Sequence, residues 1–237
     1  MTTPEPTNLV YDVAHDLQTP LTALKAHLSL ITTTRRSDEI RTCHEIIDSM
    51  SSMVSDLLAY ARSGTGCEVT NRKQFDLSAH VIETIDYIET VARSCRVKVT
   101  TDIKPGIIVE GIPGKIDEAF LNLVSNSMKY LTASGPREIT IRLATIGKSC
   151  CLSVEDTGIG ISADELQYVF SRFYRTRPAT RHASGSGLGL AITKKIVEMH
   201  SGRVSIESTE GVGTRVNIML PIIQKSHTAS SPSSTKS

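Results

Sequence analysis

The chain of 237 residues has no tryptophan, only four phenylalanines and six tyrosines, which argues against a large aromatic recognition surface. No stretch approaches the roughly 18 to 20 uninterrupted apolar residues that a membrane-crossing helix needs. Residues 1–8 lack the basic start and apolar run of a secretory signal. The 26 basic and 25 acidic residues leave a net charge of +1, so no overall field attracts nucleic acid or anionic lipid. We therefore expect a cytoplasmic protein that binds no nucleic acid and meets a membrane only through a segment outside this chain.

Cysteine is also sparse. The five cysteines are odd in number and form no CxxC pair, which argues against a zinc site and against a disulfide framework. We interpret them as reduced, structural thiols. They are Cys43, Cys67, Cys95, Cys150 and Cys151.

Two amphipathic stretches open the chain. Residues 9–31 carry one helical stripe of apolar side chains, and residues 40–61 carry a second stripe with heptad spacing. The polar run 32–36 separates them, so the pattern predicts an antiparallel helical hairpin. Its apolar surface exceeds what one partner helix covers, which favours a homodimer whose two hairpins form a four-helix bundle. A monomer whose hairpin folds onto its own second domain is the alternative.

The pattern of apolar and polar residues changes after the glycine-containing linker 63–67. Alternating strand patterns and helical stretches then follow each other, which predicts an α+β domain of ordinary size. We predict domains at 1–66 and 67–222, and a disordered Ser- and Thr-rich tail at 223–237. The predicted strands are 96–100, 138–143, 151–155, 204–206 and 216–220, and the predicted helices are 77–92, 113–130, 164–170 and 188–200.

Two glycine clusters in this second domain point to a phosphate-bearing ligand. Residues 156–160 follow a predicted strand, and residues 185–190 precede a predicted helix. Glycines let the backbone approach a ligand closely, and a helix N-terminus offers free N–H groups to phosphate. The polar, basic segment 174–184 between the clusters is typical of a phosphate lid.

A polar helix face supplies the third element. Asn122, Asn126, Lys129 and Tyr130 lie at i, i+4, i+7 and i+8 and therefore share one face. Amide oxygens are suitable ligands for Mg²⁺, which takes its other ligands from water and phosphate, and a lysine can reach phosphate. A solvated helix face is the alternative interpretation.

Two common nucleotide motifs are absent. Gly114-Lys115 has Val109 where a Walker A loop needs its first glycine, and Ile116 follows where Ser or Thr is needed. Leu190 stands where a GxGxxG fingerprint requires its last glycine, so a Rossmann dinucleotide site is not supported.

Together these motifs resemble the N, G1, F and G2 boxes of sensor histidine kinases, and residues 15–21 resemble their H box. The resemblance covers about residues 9–221. The motifs that carry it are His15-Asp16-Leu17-Gln18-Thr19-Pro20-Leu21, Asn122…Asn126…Lys129-Tyr130, Asp156-x-Gly158-x-Gly160, Phe170-x-x-Phe173 and Gly185-x-Gly187-Leu188-Gly189-Leu190.

The resemblance implies a dimeric phosphoacceptor hairpin followed by an α/β-sandwich domain that binds ATP, related to gyrase and the ninety-kilodalton chaperones. It implies that Asp156 accepts from the adenine amino group and that Asn122 and Asn126 hold Mg²⁺ with the phosphates. The other implied binding residues are Lys129, Tyr130 and Arg175 near phosphate or sugar, Gly158, Gly160, Gly185, Gly187, Leu188 and Gly189 at the turns and lid, and Thr214 near the adenine.

His15 is the predicted nucleophile. It lies opposite the apolar stripe, and an imidazole with an ordinary pKa of about 6.5 is a competent nucleophile near neutral pH. Asp16 can accept the ring proton or orient the ring. Thr19 lies one turn further on the same face and can position a water against a partner's phosphoaspartate. Pro20 removes one helix hydrogen bond and predicts a bend beside the nucleophile.

These patterns leave three functions to compare. The first is a protein-histidine kinase that autophosphorylates His15, passes the phosphoryl group to an Asp of a response regulator and also dephosphorylates that regulator. An ATPase is the second, but gyrase-like relatives place a catalytic Glu where this chain has Asn122. A phosphatase-biased or non-catalytic scaffold that binds ATP is the third, because Gln18 replaces the family's usual basic residue. Ser127 stands where the family commonly has alanine.

Overall fold

The computed structural model describes Ile47 and residues 72–132, 135–176 and 187–223. The predictions for the hairpin, its dimer, His15, Asp16 and Thr19, for Gly185 and for the tail from residue 224 lie outside the described residues. None of the described helices has both the length and the apolar character needed to cross a membrane.

Three helices and seven strands make up the described domain. The helices are α1 (Leu77–Ser94), α2 (Pro113–Tyr130) and α3 (Gly189–Met199). The strands are β1 (Lys73–Asp76), β2 (Lys98–Ile103), β3 (Ile108–Gly111), β4 (Glu138–Ile146), β5 (Ser149–Asp156), β6 (Arg203–Thr209) and β7 (Gly213–Pro221).

Five of the strands form one mixed sheet in the order β2-β4-β5-β7-β6. Strands β2 and β4 are parallel, and the other pairs are antiparallel. The register sets Asp156 at the end of β5 opposite Thr214 at the start of β7. The α+β class, with helices packed on one face of a mixed sheet, is confirmed.

One pair of strands was not predicted, and one predicted helix was wrong. The small antiparallel pair β1–β3 was missed, because two strands of four residues are too short to show alternation. Residues 164–170 were predicted as a helix, but only Leu166–Tyr168 form a 3₁₀ turn. The Tyr168 N–H donates to the Glu165 carbonyl three residues back, the tighter bonding of a 3₁₀ turn that does not propagate.

The core lies between the sheet and the helices. On β4, Ile139, Ile141 and Leu143 alternate with exposed or half-buried residues and are fully buried, as expected for a strand with one face on a core. Helix α1 presents an apolar stripe to the same core and starts at Asp76, whose carboxylate accepts from the Ala79 N–H at 3.1 Å.

His200 fixes the start of α2 against the end of α3. The Ile112 N–H donates to its Nε2 at 2.9 Å, so Nδ1 carries the proton and donates to the Ile196 carbonyl at 2.7 Å. The ring fills the space where a side chain at Gly111 would lie. Burial lowers the pKa of His200, which keeps the ring neutral. The sequence patterns assigned His200 no role; the structure shows it as an anchor between the two helices that frame the site.

Candidate nucleotide site

A cavity of about 190 Å³ lies between α2, the end of β5, the start of β7 and the N-terminus of α3. One water needs only about 15 Å³ on the same measure, so the cavity has room for a heterocyclic ring. The sequence-predicted site residues that line it are Asn122, Asn126, Lys129, Tyr130, Asp156, Gly160, Arg175, Gly187, Gly189 and Thr214.

Asp156 lies at the buried end of the cavity and is 9% exposed. Its Oδ2 accepts from the Ser127 hydroxyl at 2.9 Å, and its Oδ1 accepts from the Gly158 N–H at 2.9 Å. Burial raises the pKa of this carboxyl, while hydrogen bonds from Gly158, Ser127 and Thr214 oppose that rise. A carboxylate held by two donors keeps lone pairs free to accept from a ligand.

Glycines let the backbone pass close to Asp156. A Cβ on Gly158 would lie 2.6 Å from the Tyr130 carbonyl oxygen. Gly160 has φ +66° and abuts the Thr209 carbonyl. These contacts explain why the turn after β5 requires glycine at both positions.

Apolar side chains form the walls beside Asp156. Thr214 lines the same end, and its Oγ1 lies 2.8 Å from the Ser208 Oγ. This combination of apolar walls and a few placed polar groups is typical of a site for a flat heterocycle. The apolar lining residues are Ile159, Ile161, Val169, Ile206 and Val216.

A second group of polar side chains lines the cavity beside the start of α3. Asn122 and Asn126 are half-buried and Lys129 is exposed on the same face of α2. A Cβ built on Gly189 would lie 3.6 Å from the Asn126 Nδ2, so the start of α3 adjoins that amide. No side chain caps the first turn of α3, which leaves backbone N–H groups for an anion.

The loop side of the cavity is formed by Tyr174 and Arg175 together with Gly187. Phe173 has φ +60° and Gly187 has φ +70°, and a Cβ on Gly187 would lie 2.6 Å from the Phe173 carbonyl carbon. The described backbone before residue 177 and after residue 186 therefore lies in close contact at Phe173 and Gly187.

Two predicted site residues do not line the cavity. Leu188 is 1% exposed and packs in the core, where it supports the start of α3. Gly158 acts behind the cavity through its N–H to Asp156.

Ser127 is a site residue to which sequence reasoning assigned no role. It is buried, lines the cavity and donates to Asp156. The only sequence signal was its departure from the alanine common in the resembling family, because no local pattern reports a contact between residues 29 positions apart.

A magnesium ion would find few protein ligands here. Within the described ranges, no cluster of three or more His, Cys, Asp or Glu side chains could hold a metal. The amide oxygens of Asn122 and Asn126 fit an ion that takes most of its ligands from phosphate and water.

Two family models match the chain. The His Kinase A phospho-acceptor domain matches residues 7–66, and the histidine kinase-, DNA gyrase B- and HSP90-like ATPase matches residues 111–224.

Curated relatives agree with these models. Sensor protein kinase WalK of Staphylococcus aureus is 32% identical over 223 residues, which are 90% of this chain and 52% of that relative. In strain Newman, the same 223 residues correspond to 36% of the relative. The chain thus spans about half or less of the curated relatives it matches.

Solved structures share the fold. Histidine kinase AdeS of Acinetobacter baumannii has a TM-score of 0.67 at 20% identity, covering 89% of this chain and 98% of that one. Mycobacterial sensor histidine kinase MprB has a TM-score of 0.54 at 28% identity, covering 64% of this chain and 97% of that one. The chain belongs to the sensor histidine kinases and carries their phosphoacceptor and ATP-binding domains.

Proposed function

We propose that the chain is an ATP-dependent protein-histidine kinase that autophosphorylates His15 and transfers the phosphoryl group to an aspartate of a response regulator receiver domain. One observation supports this most strongly. A phosphoacceptor model covers His15, and the same chain has a two-ended cavity with an adenine-type acceptor at one end and amides beside a helix N-terminus at the other.

ATP fits both ends of this cavity. The 6-amino group of adenine would donate to Asp156, and the rings would lie between the apolar walls. Phosphates would meet the first turn of α3, with Lys129 and Arg175 lining the same cavity. One solved relative, full-length ShkA, is described in complex with AMPPNP and has a TM-score of 0.65 at 21% identity. We further propose that Mg²⁺, held by Asn122 and Asn126, neutralises phosphate charge when bound.

The cavity favours transfer to a protein nucleophile over hydrolysis. Among the described lining residues, Asp156 is the only carboxylate, and both its oxygens already accept hydrogen bonds. Asn122 lies where a gyrase-like ATPase would need a general base, and an amide cannot take a proton from water.

The reaction then has two steps. A ring nitrogen of His15 attacks the γ-phosphorus, the bond from that phosphorus to the β,γ-bridging oxygen breaks, and ADP leaves. Asp16 takes the ring proton or holds the ring in the attacking tautomer. In the second step, a carboxylate oxygen of the regulator attacks the phosphorus and the P–N bond breaks. Thr19 would position the water that hydrolyses the regulator's phosphoaspartate and so ends the signal.

The hairpin would pair with a second copy to give the dimer. We place the reaction in the cytoplasm, where ATP is available, whether or not the whole protein is a membrane receptor.

The test is incubation of the chain with γ-labelled ATP, followed by acid and base treatment. Wild type is expected to take up label that is acid-labile and base-stable, because it is a phosphoimidazole. His15→Ala should bind ATP but take up no label, whereas His44→Ala, the control, should label normally. Label that persists on His15→Ala would reject this nucleophile.

A further inference from the structure

The side chain of Ser127 is aimed at the carboxylate that closes the adenine end of the cavity. Ser127 is 5% exposed on the inner face of α2, and its Oγ donates to Oδ2 of Asp156 at 2.9 Å. The Gly158 N–H donates to Oδ1. The donors from α2 and from the turn after β5 thus bind different carboxylate oxygens, and the backbone of Thr214 at the start of β7 also donates to this carboxyl.

The protonation state of this carboxyl decides which purine it can recognise. An ionised carboxylate only accepts, and it matches the 6-amino group of adenine. A protonated carboxyl also donates, and it can match the 6-oxo group of a hypoxanthine or guanine ring. A hydroxyl that donates to the ionised form favours that form. Loss of the Ser127 hydroxyl would leave the buried carboxyl with one donor fewer, and Oδ2 would lose the hydrogen bond that orients it.

Other charged groups near Asp156 do not replace this donor. Glu155 precedes it on β5 and opposes its ionisation. Arg215 on β7 is engaged with Glu155 at 2.7 Å. Lys129 and Tyr130 of α2 line the cavity, but among the described residues neither donates a hydrogen bond to Asp156.

We propose that Ser127 is a positioning residue that keeps Asp156 ionised and oriented toward the 6-amino group, and that it thereby sets the preference of this site for 6-aminopurine nucleotides. This rests on the proposed function, since it assumes that adenine enters this end of the cavity. Because Ser127 acts through Asp156, it should affect nucleotide recognition and leave the chemical step unchanged.

The test compares three nucleotides on the full chain: ATP, purine riboside triphosphate, which lacks the 6-amino group, and inosine triphosphate, which has a 6-oxo group. Dissociation constants are measured from pH 5.5 to 8 for wild type, Ser127→Ala and Ser127→Cys. Ser153→Ala is the control, because Ser153 is equally buried on β5 and does not line the cavity.

For Ser127→Ala we expect ATP to bind about tenfold more weakly near pH 6, the value of one hydrogen bond to a charged group. The dissociation constant of purine riboside triphosphate should change by no more than about twofold, which is the usual deviation from additivity for independent sites. The affinity for inosine triphosphate should rise relative to the affinity for ATP. The acid limb of ATP binding should move to higher pH, because the ionised carboxylate has lost a donor. Ser127→Cys, a weaker donor of similar size, should lie between the two.

Equal weakening of ATP and purine riboside triphosphate would show a merely structural role and overturn the proposal, as would an unchanged pH limb. Failure of wild type to bind any of the three nucleotides would instead reject the proposed function. Wild type that binds ATP no better than purine riboside triphosphate would reject the role of Asp156.

Discussion

The two ends of the cavity are built in different ways. At the adenine end, Asp156 is buried and held by two hydrogen bonds of 2.9 Å, and the adjoining glycines abut backbone from other elements. At the phosphate end, Asn122, Asn126 and Lys129 are half-buried or exposed, and no hydrogen bond to another described residue fixes their side chains. One end is a fixed part of the fold, and the other is a set of adaptable groups.

This difference has a physical reason. A neutral, flat ring is selected by shape and by one or two hydrogen bonds, so its acceptor must be placed before the ring arrives. Triphosphate is flexible and highly charged, and it needs donors that follow it through transfer and release. Changes to the backbone of the adenine end should therefore affect the fold and the affinity together, whereas changes at the phosphate end should affect affinity alone.

The largest expected effect is a loss of stability when a backbone position at the adenine end is changed. Gly160→Ala should destabilise the domain by about 3 kcal/mol, because it adds both a left-handed φ penalty and an overlap with the Thr209 carbonyl. Gly147→Ala is the matched control, with φ +60° and nothing within 4 Å of the added Cβ, and it should cost about 1 kcal/mol. Urea unfolding of both variants measures the difference; equal losses would contradict the steric account.

Asp156→Asn should separate affinity from stability at the same end. The amide turns an N–H toward the adenine amino group, so ATP affinity should fall about 30- to 100-fold. Burial raises the pKa of Asp156, so stability falls as pH rises from the ordinary carboxyl pKa through that raised pKa, and the loss is complete above it. The neutral variant should therefore unfold at least as late in urea as wild type at pH 7. Undiminished ATP binding, measured by calorimetry, would remove Asp156 from the site.

Asn126→Ala tests whether a change at the phosphate end lowers affinity without lowering stability. Affinity for ATP with Mg²⁺ should fall about tenfold, because one amide ligand is lost, while affinity for adenosine and the free energy of unfolding stay unchanged. Glu83→Ala, on the exposed side of α1, is a control for surface substitution. Equal losses for adenosine and for Mg²⁺-ATP would mean that Asn126 shapes the whole cavity.

The smallest expected effect is on stability, at His200, which links the start of α2 to the end of α3. Burial lowers the pKa of His200 in the fold, so the unfolded chain takes up the proton first as pH falls through about 6.5. Stability contributed by the neutral ring is present above that pH and lost below it. Wild type should lose about 1 kcal/mol more than His200→Gln between pH 7.5 and 5.5, measured by urea unfolding. Parallel curves for the two proteins would exclude this titration.

Local pattern predicted the large elements and the polar face of α2 well. The alternation on β4, with Ile139, Ile141 and Leu143 inward, is a period-two signal that tertiary structure keeps. The strand pair β1–β3 gave no such signal, because each member is only four residues long.

Contacts between distant residues were not predictable. The hydrogen bond from Ser127 to Asp156 and the one from Ile112 to His200 join positions 29 and 88 apart, and they exist only once α2 packs against both β5 and α3. Leu188 shows the converse: its place in a glycine motif indicated a lid residue, but its side chain packs in the core.

The most direct test of the two-ended cavity is nuclear magnetic resonance of the methyl-labelled chain with bound ATP, first with Mg²⁺ and then with Mn²⁺ in its place. With Mg²⁺ bound, cross-relaxation should connect the adenine C2 proton with the methyl groups of Ile159 or Val216. After exchange of Mg²⁺ for Mn²⁺, signals around Asn126 and Gly189 should broaden most strongly. Broadening centred on Asp156, or adenine contacts only at the start of α3, would place ATP the other way round and contradict the account.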